Sequence, residues 1–152
     1  MKNILTYFAL LAAVTLFATT HADAQNSKLI QTLSTKEFCE KVYDINSDTL
    51  KYKGEQPAIV DFYADWCGPC QALTPTLQEI AEKYKGKVVV YKVNIDTAQE
   101  VAQAFGISSI PAILYIPLKG KPHMTLGFRG FTRFDYEVGH YLLSKGTTNH
   151  FR

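Results

Sequence analysis

Ala58-Ile59-Val60-Asp61-Phe62-Tyr63-Ala64-Asp65-Trp66-Cys67-Gly68-Pro69-Cys70 joins two patterns of different period. Ala58 to Ala64 is an apolar run of strand length, interrupted only by Asp61. Beyond the second cysteine, Leu73, Leu77, Ile80 and Tyr84 recur at helical spacing. A strand therefore ends, and a helix begins, at two cysteines three positions apart. Such a pair can close a small disulfide, open to a dithiol, or supply half of a zinc site. Haem attachment needs a His next, and the next residue is Gln71.

The first turn of a helix carries unpaired N–H groups and the positive end of the dipole. Cys67 at the cap has its thiolate stabilised there. Gly68 lets the backbone turn and lets another chain come close. Pro69 falls in the first turn, where its missing N–H costs little. Cys70 follows one turn later on the same face, within reach of Cys67.

The near-continuous apolar run before the cysteines reads as a central strand buried on both faces. Asp61 lies inside it. On a half-exposed strand it would be a surface residue, but Ile59, Val60, Phe62 and Tyr63 surround it. A buried carboxylate loses solvation in its charged form, so its pKa rises toward the range of a proton acceptor working near neutrality. Lys92 stands in a second apolar run, Lys87 to Ile95, and on its own reads as a lysine snorkelling from a strand end.

Asp61 to Cys70, with Ile110-Pro111 downstream, resembles the active-site signature of the thioredoxin family, and the resemblance covers roughly Leu29 to Lys145. It implies the α/β thioredoxin fold, a central mixed five-stranded sheet flanked by four helices. It implies that Cys67 attacks a substrate disulfide and that Cys70 resolves the mixed disulfide, with Asp61 taking the proton of Cys70. Lys92 would lie near Asp61 and help set its pKa, while Gly68 and Pro69 tune the redox pair. Pro111 would follow a cis peptide bond and face the dithiol. The backbone of Ile110 would then pair with an extended substrate segment, and Trp66, Pro69, Ile110 and Pro111 would form an apolar contact surface. Gly127 matches the glycine that lets substrates approach, with Gly130 as its competitor. The kink that the family shows in this helix fits Pro75. No cofactor and no metal is implied. The expected partners are disulfide-containing proteins and an upstream thiol electron donor. Reductase is the direction that Cys-Gly-Pro-Cys favours; oxidase and isomerase share the fold, and a binding module without redox turnover is a further alternative.

The rest of the chain sets the context. One hundred and fifty-two residues, 47% apolar and 20% charged, fit one domain with its own core. A net charge of +2 without basic runs gives no sign of nucleic-acid binding. Lys2, the apolar stretch Ile4 to Thr19 and Ala22-Asp23-Ala24 read as a signal peptide over residues 1–24, with an uncleaved anchor as the alternative. Residues 25–146 are then the domain and 147–152 a loose tail. Export, to a periplasm rather than fully outside, would require reducing equivalents from a membrane-linked donor. The expected working state is a monomer. Three cysteines are too few for a disulfide-stapled scaffold. His123, His140, His150 and Cys39 lack the spacing that would complete a zinc site with the pair.

The remaining elements follow from local signals. Leu29–Leu33 reads as an edge strand, and Ser34 or Thr35 caps a helix with Glu37 or Glu40 closing a capping box. Cys39 reads as a small buried hydrophobe, a regulatory or dimer-forming thiol being the alternative. Asn46–Gln56 is a surface connection. A helix over Thr97–Phe105 stops at Gly106. Strands Ala112–Ile116 and His123–Phe128 pair as a hairpin around Lys119–Pro122. A terminal helix spans Phe131–Lys145, and Gly146 ends it.

Overall fold

The computed structural model describes residues 29–144. The expected signal peptide, the loose tail, and Lys145 and Gly146 at the end of the terminal helix lie outside the described residues. Five strands form one sheet: β1 (Ile30–Thr32), β2 (Ala58–Tyr63), β3 (Val89–Asn94), β4 (Ala112–Ile116) and β5 (His123–Leu126), in the order β1-β3-β2-β4-β5. β1 and β2 run parallel to β3, whereas β4 runs antiparallel to β2 and to β5. Four helices flank the sheet: α1 (Thr35–Lys41), α2 (Gly68–Lys83), α3 (Gln99–Ala104) and α4 (Phe131–Val138). This is the mixed five-stranded, four-helix architecture expected from the sequence.

Alternation along β2 divides the core. Val60 and Phe62 pack on one face with Phe38 and Val42 from the α1 region and Val101 of α3. Ile59 packs on the other with Leu73, Leu77 and Ile80 of α2 and Phe134 and Val138 of α4. Each such side chain, fully removed from water, contributes about 1.5–3 kcal/mol. By the same alternation, Asp61 faces α2.

Local chemistry explains where the elements stop. Ser34 caps α1, its side chain accepting from the Glu37 N–H while the Glu37 carboxylate accepts from the Ser34 N–H at 3.0 Å. β5 is shorter than expected because Gly127 adopts φ +76°, which ends the pleat. α3 begins two residues late, at Gln99, because Ala98 offers no side-chain cap. The terminal helix is not one continuous α-helix: after Val138 it widens into a π turn over Gly139–Leu143. There the Gly139 N–H is shared by the carbonyls of Asp135 and Tyr136.

The connection after α1 runs over the surface as expected, its residues 46–51 exposed, while Tyr52 packs on the core and its hydroxyl donates to the Gln56 carbonyl at 2.7 Å. One other expectation needs correction. Cys39 is a free thiol, but it is half-buried rather than part of the core, and its carbonyl accepts from the Lys53 ammonium. The Cβ of a residue beside the apolar stripe of a short helix points along the surface, which the stripe alone does not reveal.

Candidate active site

α2 starts where β2 delivers it. Cys67 is the N-cap, with Gly68 and Pro69 opening the helix and Cys70 on its buried side. The backbone N–H of Cys70 donates to Cys67 Sγ at 3.2 Å, so sulfur takes the part that a serine oxygen plays in an ordinary cap. The two cysteines are joined as a disulfide, with their Cα atoms 5.3 Å apart. Both are nearly buried, Cys67 at 4% and Cys70 at 2% exposure, while Gly68 and Pro69 between them are exposed. Further along α2, Pro75 has no N–H to offer the Gln71 carbonyl, and the helix continues through it to Lys83.

Ile110, Ile95 and Tyr63 pack against the buried cluster formed by Ala64, Cys67 and Cys70. The Ile110–Pro111 bond is cis. The Gly127 N–H donates to the Pro111 carbonyl at 2.8 Å, so Gly127 borders the cis-proline loop, while Gly130 serves as the N-cap of α4. A Cβ on Gly127 would meet only open space, and its positive φ is what favours glycine there.

Trp66 projects into solvent at 70% exposure, yet its indole N–H donates to Asp96 Oδ2 at 2.9 Å. The Asp96 N–H donates to Asn94 Oδ1, and Asn94 Nδ2 donates to Asp65 Oδ2 at 3.2 Å. The Gln71 amide donates to the Asp65 carbonyl. The turn before Cys67 is thereby tied to the end of β3. Sequence reasoning missed Asp96, Asn94 and Asp65. The alternation of polar and apolar residues at Asn94-Ile95-Asp96, where an apolar strand ends, was the available signal.

Asp61 is 1% exposed, and neither of its carboxylate oxygens has a hydrogen-bond partner among the described residues. Register puts it opposite Lys92 on β3 and Ile113 on β4. The Lys92 ammonium lies 3.9 Å from Asp61 Oδ2 and 4.1 Å from the centroid of the Tyr63 ring. Burial pushes the Asp61 pKa up to about 7, and the Lys92 charge opposes that rise. A cavity of about 220 Å³ opens between α2 and β3, with Cys70 and Thr74 on one wall and Lys92 and Tyr63 on the other. All the residues picked out by sequence thus converge on the same end of the sheet. Ile110 packs on the cluster that holds Cys67 and Cys70, Gly127 hydrogen-bonds the carbonyl of Pro111, and Asp61 and Lys92 lie on the sheet face that α2 covers.

Two sulfurs joined as a disulfide, one of them capping a helix, are suited to thiol–disulfide exchange. Fold and site together define a thiol-disulfide oxidoreductase. The sequence matches the Thioredoxin family over residues 29–132, more than half its length, and the chain belongs to that family. It is 42% identical to a thioredoxin of Borreliella burgdorferi over 97 residues, 63% of this chain and 83% of the relative. It is also 42% identical to the chloroplastic M-type thioredoxin of Spinacia oleracea over 82 residues, 52% of this chain but only 45% of that longer one. The crystal structure of chloroplastic thioredoxin z superposes with a TM-score of 0.62 at 27% identity, covering 74% of this chain and 93% of that one. The chain is accordingly a protein-disulfide reductase of the thioredoxin type, and disulfide-containing proteins are the general substrates of that family.

Proposed function

We propose that the protein reduces protein disulfides outside the cytosol, with Cys67 as nucleophile, Cys70 as resolving thiol and Asp61 as proton acceptor. In the reduced protein the Cys67 thiolate attacks one sulfur of a substrate disulfide. A Cys67–substrate bond forms, the substrate bond breaks, and the other substrate sulfur leaves as a thiolate. Cys70 then loses its proton toward Asp61 and attacks Cys67 Sγ. The substrate leaves reduced by two electrons, and the Cys67–Cys70 disulfide remains. Asp61 makes no hydrogen bond to Cys70, so the proton travels through the cavity that Cys70 and Lys92 both line. The exposed Trp66 and the backbone of Ile110 beside Pro111 receive the substrate chain.

The observation that carries this reading is the packing of Ile110 against the buried cluster that holds the Cys67–Cys70 disulfide at the start of α2. Export rests on Lys2, the apolar run to Thr19 and Ala22-Asp23-Ala24. An exported reductase working as a monomer needs an upstream thiol donor linked to the membrane. The test is a multiple-turnover assay with a dithiol reductant and a protein disulfide. Cys67→Ser abolishes turnover, and Cys70→Ser accumulates covalent mixed disulfides. Wild-type turnover by Cys70→Ser would rule out the two-cysteine mechanism. N-terminal sequencing of the protein recovered from its host, starting at Gln25 in a non-cytosolic fraction, tests the export.

A further inference from the structure

A second cavity, of about 190 Å³, lies between β5 and α4. Its floor is apolar, formed by Leu73, Ile113 and Phe134. Ile113 pairs with Asp61 on one side and with Thr125 on the other, so this cavity sits on the face that α2 covers, one strand beyond the buried aspartate. The wall is basic, with His123, Arg129 and Arg133. The carboxylate among the lining residues is Glu137, and it is already engaged: the Tyr115 hydroxyl donates to one oxygen at 2.8 Å and Arg133 Nε donates to the other at 2.7 Å. Arg133 is thereby neutralised. Arg129 has no ion pair or side-chain hydrogen bond among the described residues, so its charge is left over. α4 begins at Phe131 with Gly130 as its N-cap, without a side-chain cap and without an acidic residue in the first turn. The helix dipole therefore adds to the positive potential instead of cancelling it.

Size limits what this space can hold. Pockets for cofactors and drug-sized molecules run to about 300–1,000 Å³. This one fits a single short side chain, with an apolar stem for the floor and a negative end for Arg129. Its position says where that side chain comes from. Gly127 lines the cavity and donates its N–H to the Pro111 carbonyl, so the rim is part of the cis-proline loop's surroundings. A chain running along Ile110 passes this rim.

We propose that the cavity receives an Asp or Glu side chain of the bound disulfide substrate, and that Arg129 is a specificity-determining residue for acidic sequences beside the attacked cysteine. The proposal rests on substrates docking at Ile110–Pro111, as argued above. Arg129 is exposed, so replacing it removes no core contact.

The test is steady-state reduction of a series of disulfide peptides in which each position flanking the attacked cysteine is in turn Glu, Gln or Lys. At one or two positions the Glu peptide should have a KM about fivefold below that of its Gln twin, the effect of one partly exposed charge pair, with equal kcat. In Arg129→Gln the Glu-to-Gln ratio of kcat/KM should fall to about one, and in Arg129→Glu the Lys peptide should become the better substrate. Inorganic phosphate should raise the KM of the Glu peptide alone. If phosphate raises both KM values alike, the cavity holds a free anion and the proposal is overturned. A wild-type enzyme that reduces every peptide without discrimination, or keeps its preference in Arg129→Gln, overturns the proposal while the reductase reading stands. Failure to reduce any peptide overturns both.

Discussion

The Lys92 ammonium stands 3.9 Å from Asp61 Oδ2, near enough to attract it and too far to hydrogen-bond it. Lys92 is partly solvated and Asp61 is not. Burial therefore wins over the cation, and the carboxyl stays protonated up to a pH of about 7.

This sets how stability depends on pH. In the unfolded chain Asp61 titrates near 3.9. Between about pH 4 and about pH 7 the folded protein holds a proton that the unfolded chain has lost, so stability falls as pH rises through that window. The total cost is about 4 kcal/mol at 1.36 kcal/mol per pH unit. Asp61→Asn removes the titration. It should stabilise the oxidised protein by roughly that amount at pH 8 and by about nothing at pH 3. Denaturant unfolding at the two pH values measures it. A gain equal at both would mean that Asp61 titrates alike in the folded and the unfolded chain.

Lys92→Gln should act in the opposite sense on the same group. Without the cation, Asp61 loses the only influence that lowers its pKa, and the value climbs further. If Asp61 takes the Cys70 proton, the pH midpoint of the resolving step should move up by about one unit, the small end of what a charge at this distance does. Stopped-flow measurement of mixed-disulfide resolution from pH 5 to 10 gives the midpoint. A resolving step whose midpoint ignores Lys92 would separate the two residues functionally.

Much of this site was legible because it is written in local signals. A change of period at Cys67, a Pro in the first turn and an acidic residue inside an apolar run need no tertiary information. Asp61 and Lys92 could be paired in advance only through the family resemblance, because the register of β2 on β3 depends on the whole sheet. What was not legible depends on side-chain direction. The indole of Trp66 finds Asp96 thirty residues away, and Glu137 collects Tyr115 and Arg133 from two different elements. The π turn after Val138 and the inserted Tyr52 likewise answer to packing rather than to periodicity. Neither leaves a mark in hydrophobic spacing.

Asp96 should hold Trp66 in place. Trp66 is the only tryptophan in the chain, so its fluorescence reports on this pair alone. Asp96→Ala removes the acceptor at 2.9 Å, and the largely exposed ring then has no polar tether. Fluorescence anisotropy should drop, and the KM for a protein disulfide should rise about fivefold, the worth of one hydrogen bond to a charged group at an exposed site. An unchanged anisotropy would mean that packing alone fixes the ring.

The direction of electron flow rests on what surrounds Cys67. Reference potentials for this class of chemistry run from about −270 mV for thioredoxin to about −120 mV for a strong disulfide oxidase. That span is about 7 kcal/mol, and stabilisation of the reactive thiolate in the oxidase supplies most of it. In this protein Cys67 Sγ accepts one backbone N–H, from Cys70. Pro69 has no N–H to add and no charge, and Gly68 has no side chain. The residues packed on the pair, Ala64, Tyr63, Ile95 and Ile110, carry no positive charge and keep water away. Lys92 is engaged with Asp61 and the Tyr63 ring. A reduced Cys67 is therefore only modestly stabilised, and the protein should give up its electrons readily. Equilibration against glutathione should place the pair below about −220 mV. Replacing Pro69 with His, which restores an N–H and adds a titratable cation beside the sulfur, should raise the potential by tens of millivolts. A wild-type value above about −180 mV, the range of isomerases, would reassign the protein to disulfide formation or isomerisation.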